Sequence, residues 1–183
     1  YLHGPSTEDL KDNVIDCLLQ MKCSGSVTYI GVNSFDNDVL DATAASALDC
    51  AMLQYNILDR SSSRMIAKFA AAGKFVVSGT LLAQKGLQFR LAELASPRGL
   101  WYLARLLKND PFFYAKARRV RKLAKAHDVD VMGLAIRFVT GNDLITSSTF
   151  NTTRLAHLAG NIERASEPVS EELALAIATL AQE

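Results

Sequence analysis

Apolar residues recur along this chain in two patterns, one typical of helices and one typical of buried strands. Leu10, Val14, Leu18 and Met21 follow helical spacing, whereas the run VTYIGV at 27–32 is rich in β-branched and aromatic residues, as strands are. The second pattern predicts strands over 1–3, 27–32, 50–54, 74–78 and 144–147. The first predicts helices over 10–21, 38–48, 61–72, 97–108, 111–126, 131–139, 152–162 and 170–182.

The order of these elements predicts an α/β fold. Strands that alternate with helices favour a parallel sheet with crossover helices. Ser6 or Thr7 is expected to cap the first helix and Asp36 the second, because their side-chain oxygens can accept from free backbone N–H groups. Two architectures fit this order: an open doubly wound sheet, or part of a (β/α)8 barrel. Neither GxGxxG nor GxxxxGK[ST] occurs, which weakens the open nucleotide-binding folds.

The number of strands limits the barrel alternative. A complete (β/α)8 barrel takes about 250 residues, and this chain has 183 residues with five predicted strands. A barrel would therefore lack about three βα units at its front. Five strands cannot close, so both sheet edges would be exposed unless another segment or chain covers them. The chain opens at Tyr1 in a predicted strand, without an initiator Met, so we expect a longer protein.

Composition narrows the functional classes. Hydrophobic residues make up 49% of the chain and charged residues 21%, with a formal net charge of +1. This balance argues against a general nucleic-acid binder, and no stretch approaches the roughly 18 apolar residues of a membrane span. We therefore predict neither nucleic acid nor membrane as a partner. Cys17, Cys23 and Cys50 lack metal-site spacing and are predicted to be buried thiols of a cytoplasmic protein.

Several spaced motifs resemble one known family. GSVTYIGVNSF at 25–35 resembles the family's GKVRYIGVSNF, QYNILDR at 54–60 resembles QxxYSLLDR, and TLLAQKGL at 80–87 resembles SPLAQGLL. GLAIRFV at 133–139 resembles QLALRFV, and LHGP at 2–5 resembles the end of the family's fourth strand. The chain thus resembles the C-terminal part of the aldo-keto reductases. The resemblance implies a partial (β/α)8 TIM barrel, strands 4–8, as a single domain over 1–183.

The resemblance also implies a chemistry. These enzymes bind NADP(H), less often NAD(H), and pass hydride between the nicotinamide and an aldehyde or ketone. A Tyr supplies the proton, a Lys and an Asp tune its acidity because a free Tyr is a poor acid, and a His orients the carbonyl. The Tyr, Lys and Asp belong to the first three strands and thus lie outside this chain.

The motifs assign roles to individual residues by resemblance alone. His3 is the His that orients the substrate, and Asn33, Ser34 and Gln54 hold the nicotinamide carboxamide. Leu82 and Gln84 belong to the pyrophosphate-side loop. Thr152, Thr153 and Arg154 match the site of the adenosine phosphate, with Asn161 near the adenine. Arg154 favours NADP, because a guanidinium suits a phosphate.

The chain also departs from the family motifs. The carboxamide pair is Asn33-Ser34 where the family has Ser-Asn, and Gly79 replaces the aromatic residue that stacks on the nicotinamide. Asn151 replaces a loop Gly, and Gly160 replaces the Glu before the helix Asn. These changes favour an alternative function, a catalytically inactive half-barrel that acts as an interaction or NADP-sensing subunit. An N-terminal segment, a second chain or a dimer partner would close its sheet.

Some residues keep two interpretations. His3 could be a core histidine, and Asn33 with Ser34 could form only a turn and a helix cap. Trp101 and Tyr102 could line a substrate pocket or pack in the helix layer. A basic run is expected to form a solvated helix face rather than to contact an acidic partner; its members are Lys116, Arg118, Arg119, Arg121, Lys122 and Lys125.

Overall fold

A computed structural model describes residues 1–83, 87 and 94–180 of the chain. Within these residues it contains five strands: β1 (Leu2–His3), β2 (Gly31–Asn33), β3 (Cys50–Leu53), β4 (Phe75–Ser78) and β5 (Ser147–Ser148). The same residues form eight α-helices: α1 (Asp12–Cys23), α2 (Asn37–Ala45), α3 (Ser63–Ala71), α4 (Pro97–Asn109), α5 (Phe113–Ala126), α6 (Val131–Thr140), α7 (Leu155–Ser166) and α8 (Glu171–Leu180).

The strands form one parallel sheet in the order β1-β2-β3-β4-β5. At least one helix separates each pair of consecutive strands among the described residues, which confirms the α/β prediction. The spatial order follows the chain order without the reversal that defines a doubly wound sheet. This order favours the barrel-type alternative over the open nucleotide-binding sheet.

The chain divides into two compact units, each described here by itself. The first comprises Tyr1–Tyr55, Asp59–Thr80 and Val139–Phe150, and it holds the whole sheet. The second comprises Asn56–Leu58, Leu81–Phe138 and Asn151–Glu183.

One face of the sheet forms the core of the first unit. Val32, Ala51, Leu53 and Val76 are fully buried, and Phe69 of α3 is buried with them. Burial of a Phe side chain stabilises a fold by about 2–3 kcal/mol. Strand residues alternate between the two faces, so intervening residues of β3 and β4 belong to the other face, where Phe75 is exposed.

Specific polar contacts join helices to the sheet in the first unit. The Asp49 carboxylate accepts from Lys22 Nζ at 2.6 Å and from the Ile30 N–H at 2.9 Å. Burial alone would raise the pKa of Asp49, but these two hydrogen bonds outweigh it and hold the pKa below its ordinary value. Lys74 Nζ donates to the carbonyls of Thr43 (2.9 Å) and Ser46 (2.5 Å) at the end of α2.

The second unit is built on α5 and α6. Phe113, Ala117, Val120 and Ala124 form the buried stripe of α5. In its basic run, Arg121 is half-buried and the other cationic residues are exposed. Arg121 donates to the Leu87 carbonyl at 3.2 Å.

Several element boundaries differ from the sequence prediction. Strand β2 begins at Gly31 rather than at 27, because the N–H of Ile30 binds the Asp49 side chain and not a neighbouring strand. Helix α2 ends at Ala45 rather than at 48, where Lys74 binds its last carbonyls. Strand β5 begins at Ser147 rather than at 144, because Ile145 donates to the Asn142 carbonyl in a turn.

The predicted caps were half right. Asp36 caps α2, accepting from the N–H groups of Asp38 (2.8 Å) and Val39 (3.4 Å). Ser6 does not cap α1, since its N–H and hydroxyl both bind Asp9 and close a short 3-10 helix at Thr7–Asp9. Helix α1 starts after Lys11 without a side-chain cap.

The cysteine prediction holds for one residue of three. Cys50 is buried, whereas Cys17 and Cys23 are exposed on α1, a helix without buried residues. Burial raises the pKa of the Cys50 thiol, and burial together with a hydrogen bond to Cys50 raises the pKa of Tyr1 to about 12. Among the described residues, no helix is long and apolar enough to cross a membrane, and no cluster of three or more His, Cys, Asp or Glu side chains could hold a metal.

Candidate active site

Four of the residues predicted for the site lie at one edge of the sheet in the first unit. His3 ends β1, Asn33 ends β2 with Ser34 directly after it, and Gln54 directly follows β3. The carboxyl ends of parallel strands meet at the same sheet edge, which is where (β/α) enzymes hold their ligands. The fold therefore brings these four residues together.

His3 and Asn33 contact each other at this edge. They are register partners in the β1–β2 ladder, and the Gly4 N–H donates to the Asn33 carbonyl at 2.8 Å. The Asn33 side-chain nitrogen Nδ2 lies 2.9 Å from His3 Nδ1. His3 is exposed and Asn33 half-buried, so the pair is open to a ligand and is not a core histidine contact.

Ser34 is buried and serves the turn that follows β2. Its backbone N–H donates to the Met52 carbonyl at 3.1 Å, and its hydroxyl oxygen accepts from the Asp36 N–H at 3.1 Å. Ser34 is 6% exposed. The turn-and-cap interpretation thus holds for Ser34, whose hydroxyl keeps one proton to donate to a ligand.

Gln54 is held by an acidic residue, Asp59, to which the motifs assign no role. Its amide nitrogen Nε2 donates to Asp59, and the other oxygen of Asp59 accepts from the N–H (3.0 Å) and hydroxyl (2.7 Å) of Ser61. With the amide nitrogen bound to Asp59, the Gln54 carbonyl oxygen is the group that can accept from a carboxamide N–H.

Gly79 follows β4 at the same edge, where the family motif has an aromatic residue. A Cβ at this position would lie 3.1 Å from Cγ and 3.4 Å from Sδ of Met52. An aromatic side chain therefore fits only if Met52 moves. The stacking surface of the motif is absent at residue 79, and the Met52 thioether lies beside it.

The second unit contains a cavity of about 620 Å³. Of the residues predicted for the site, Leu82 and Asn161 line it, as does Thr152. Two of the departures from the family motif, Asn151 and Gly160, lie on the same wall. The cavity therefore brings together Leu82, Thr152 and Asn161, whereas Thr153 and Arg154, which the structure also describes, do not line it.

Within the described residues the cavity lining does not include Arg154, which is exposed. The Arg154 backbone is extended (φ −116°, ψ 121°), so α7 begins only at Leu155. The Arg154 N–H donates to the Thr152 hydroxyl at 3.2 Å. Helix α7 thus begins three residues after the predicted 152. Gln84 lies outside the residues that the structure describes.

Two arginines that the motifs did not select line this cavity. Arg164 Nε donates to Asp130 Oδ2 at 2.6 Å, and its Nη1 lies 2.8 Å from where a Cβ at Gly160 would be. Arg137 binds Glu167 through Nη2, whereas its Nε has no hydrogen-bond partner among the described residues. The sequence signal for Arg137 is a lone charge in the apolar run 131–139.

The buried Arg137 provides a test of fit for an anionic cofactor. Its side chain is 6% exposed, and a buried N–H donor without an acceptor is costly. A phosphate oxygen is the kind of acceptor that a guanidinium binds well. The Arg137 Nε–H is thus a donor suited to a phosphate oxygen, but the carboxylates of Asp130, Glu163 and Glu167 line the same cavity, so the lining as a whole is not cationic.

The aromatic pair on α4 keeps both interpretations. Trp101 is 56% exposed, and its ring packs edge-to-face with Tyr102 at 5.0 Å between centroids. The Arg105 guanidinium lies 5.5 Å from the Trp101 ring centre. Helix packing explains only Tyr102, which is half-buried, so a substrate contact of Trp101 stays a prediction.

Known proteins are similar to this chain in sequence and in fold. The aldo/keto reductase family profile matches residues 1–181. A D-threo-aldose 1-dehydrogenase from Pseudomonas is 25% identical over 171 residues, 90% of this chain and 50% of that protein. The holo form of a Bacillus halodurans aldo-keto reductase has 22% identity and a TM-score of 0.77, over 98% of this chain and 59% of its own. Glycerol dehydrogenase from Gluconobacter oxydans has 17% identity and a TM-score of 0.71, over 97% and 56%.

The chain thus spans about half the length of the curated relative that it matches and three-fifths or less of these structures. The structural matches show the fold. The family match over 1–181 extends across nearly the whole chain, and this chain belongs to the aldo/keto reductase family.

Proposed function

We propose that this chain is part of an NAD(P)H-dependent oxidoreductase that interconverts a carbonyl compound and an alcohol. The observation that carries the proposal is the grouping of His3, Asn33, Ser34 and Gln54 at the carboxyl edge of one parallel sheet. In this proposal β1–β5 are strands 4–8 of a (β/α)8 barrel. The catalytic Tyr, Lys and Asp are supplied from outside this chain.

Each residue of the first unit has a defined task. His3 donates a hydrogen bond to the substrate carbonyl oxygen, which stabilises the negative charge that develops there. The carbonyl oxygens of Asn33 and Gln54 accept from the carboxamide, and the Ser34 hydroxyl donates to it. When bound, the nicotinamide supplies or accepts the hydride.

The residues of the second unit bind the adenosine end. Leu82 and Gln84 contact the pyrophosphate side, Arg154 binds the adenosine phosphate, and Asn161 lies near the adenine. The partnerless N–H of Arg137 supports an anion in this cavity. We favour NADP(H), with NAD(H) as the alternative, because the exposed Arg154 guanidinium suits a phosphate.

Substrate and location are also proposals. The named relatives act on an aldose and on glycerol, so small hydroxylated aldehydes and ketones are the first substrates to assay. Three free cysteines support a reducing, cytoplasmic location. An N-terminal half-barrel segment, a second chain or a dimer partner closes the sheet.

The test begins with the intact mass of the protein in its native source. A mass above 19.9 kDa supports the presence of further βα units, and that full-length protein is then assayed for NADPH-dependent aldehyde reduction. His3→Ala is expected to lower kcat by about 10²-fold or more, as loss of an oxyanion donor does. Gln54→Ala is expected to raise the Kd for NADPH. NADPH affinity that is unchanged by Gln54→Ala, with no reductase activity, contradicts the proposal.

Gly79 and the inverted Asn33-Ser34 pair favour a second candidate, the inactive half-barrel that senses NADP or binds a partner. This candidate predicts NADPH binding without turnover in the complete assembly. Measurement of the dissociation constant and of turnover on the same preparation separates the two functions.

A further inference from the structure

The contact between His3 and Asn33 restricts the protonation state of the histidine. An amide nitrogen carries two hydrogens and only donates, so His3 Nδ1, 2.9 Å away, must accept. A neutral imidazole that accepts at Nδ1 carries its proton on Nε2. The Asn33 contact therefore selects the Nε2–H form of His3.

The pairing of β1 with β2 holds the side chains of His3 and Asn33 next to each other. His3 and Asn33 are register partners in the β1–β2 ladder, and direct partners point to the same face of a sheet. Residue 34 lies on the other face, and Ser34 is indeed buried and bound to the Asp36 N–H. From this strand, residue 33 and not residue 34 shares a face with His3.

We propose that Asn33 is a positioning residue that holds His3 in its Nε2–H form, with Nε2 as the donor to the substrate carbonyl. This inference rests on the proposed function for the role of that donor. The Asn33 carbonyl oxygen stays available to a carboxamide, because the contact with His3 uses only the amide nitrogen. Compared with the family's Ser-Asn order, the Asn33-Ser34 order thus adds a contact that positions His3 beside the carboxamide site.

The test is long-range ¹H–¹⁵N NMR of the imidazole nitrogens in the cofactor-free chain, near pH 8 where histidine is neutral. His127 and His157 are internal references in the same spectrum. Wild-type His3 is expected to show an unprotonated Nδ1 and a protonated Nε2. Asn33→Ser removes the long donor and is expected to give a mixture of both forms. Asn33→Asp replaces the donor by an acceptor and is expected to shift His3 towards the Nδ1–H form.

The same spectra provide the control and the results that would contradict the proposal. Asn13→Ser, an exposed substitution on α1, is expected to leave His3 unchanged. A wild-type His3 in the Nδ1–H form overturns the proposal. Because this measurement is made on the wild-type protein, it does not depend on whether a variant folds. A His3 spectrum unchanged by Asn33→Ser overturns it as well, even where that substitution weakens NADPH binding. A fixed Nε2–H form in a full-length protein that does not bind NADPH overturns the proposed function and leaves the role of Asn33 intact.

Discussion

Gly31 and Gly133 have opposite steric surroundings. A Cβ at Gly31 would lie 2.2 Å from the carbonyl oxygen of Cys50, its register partner in β3. Backbone at a strand pair cannot retreat without breaking the ladder. A Cβ at Gly133 on α6 would lie 3.7 Å from the nearest atom, Cγ of Arg164, which is an ordinary contact. The close approach of the Cys50 backbone requires a glycine at residue 31, whereas no close contact requires one at residue 133.

Gly31→Ala is therefore expected to lower the free energy of unfolding by about 3 kcal/mol or more. Gly133→Ala is expected to raise it by up to about 1 kcal/mol, because alanine is the better helix former and fits the space. Urea unfolding followed by circular dichroism measures both. Equal effects of the two substitutions would contradict the steric argument.

Asp49 is a partly buried acidic residue whose contribution to stability depends on pH. Its folded pKa is lowered, so its contribution is complete above the unfolded pKa of about 3.9 and is lost as the pH falls through the folded value. Asp49→Asn loses the ion pair, which is partly exposed, and is expected to cost about 1 kcal/mol at pH 7.

The Asp49→Asn deficit is expected to narrow as the pH is lowered below about 4, because the unfolded carboxyl takes up a proton first, and it is smallest once the pH lies below the lowered folded pKa. Urea titrations at pH 7 and pH 3 check this narrowing. Asp16→Asn on the exposed side of α1 is the matched control. A deficit that stays constant with pH would show that packing, not charge, is what Asp49 contributes.

The three cysteines allow a direct test of burial. Cys17 and Cys23 are expected to react quickly with a thiol reagent in the native chain, and Cys50 only on unfolding, because it is buried and its pKa is raised. Absorbance on reaction with a disulfide reagent counts the thiols with and without urea. Cys50→Ala should remove only the slow thiol, and three fast thiols in wild type would contradict the fold around β3.

Among the elements, local signals predicted helices better than strands. The sequence predicted all eight α-helices of the described residues but not the 3-10 helix at Thr7–Asp9. Asp36 marked the start of α2 because a cap acts within three residues. Strand ends depend on the partner strand, so the run 27–32 could not reveal that pairing starts at Gly31. Side-chain contacts distant in sequence, such as Lys74 with the end of α2, set the remaining boundaries.

The same distinction applies to the candidate site. Motifs selected His3, Asn33, Ser34 and Gln54, and parallel pairing explains why they share an edge. The spacing of residues does not reveal that Gln54 binds Asp59 or that Met52 lies against Gly79. Arg137 and Arg164 were missed because α6 and α7 bring them to one cavity from separate segments.

Helix α2 gives the clearest prediction at the scale of an element. Asp36→Ala removes the acceptor for two N–H groups and is expected to cost about 1 kcal/mol. Asp36→Asn keeps an acceptor and should cost a few tenths of a kcal/mol, mainly through the lost charge near the positive end of the helix. Amide hydrogen exchange in the first turn of α2 reports the effect locally. Unchanged exchange in Asp36→Ala would contradict the cap.

For the whole chain, the open sheet edges explain the expected need for further βα units or a partner. Within the described residues β1 pairs only with β2, and β5 only with β4, so each has one unpaired edge. Unpaired edges are sites of association with other strands. Both candidate functions require that these edges be covered.

Charge is also unevenly distributed, although the net charge is only +1. Residues 97–126 contain nine of the 20 Lys and Arg residues and one of the 19 Asp and Glu residues, so this segment carries +8 and the remainder −7. Charges act over about 10 Å at 0.1 M salt. An anionic surface near α5 therefore meets a strongly basic face rather than a neutral protein.

Retention on a cation exchanger at pH 7 should accordingly depend on α5 and not on net charge. Arg118→Glu with Lys122→Glu, both exposed on α5, is expected to lower the salt concentration of elution strongly. Lys11→Glu with Arg64→Glu, both exposed outside the basic segment, changes the net charge by the same amount. This control variant is expected to show a smaller decrease in the salt concentration of elution. Equal shifts would mean that the local field of α5 does not govern binding, and the acidic-partner interpretation of this face would then lose its support.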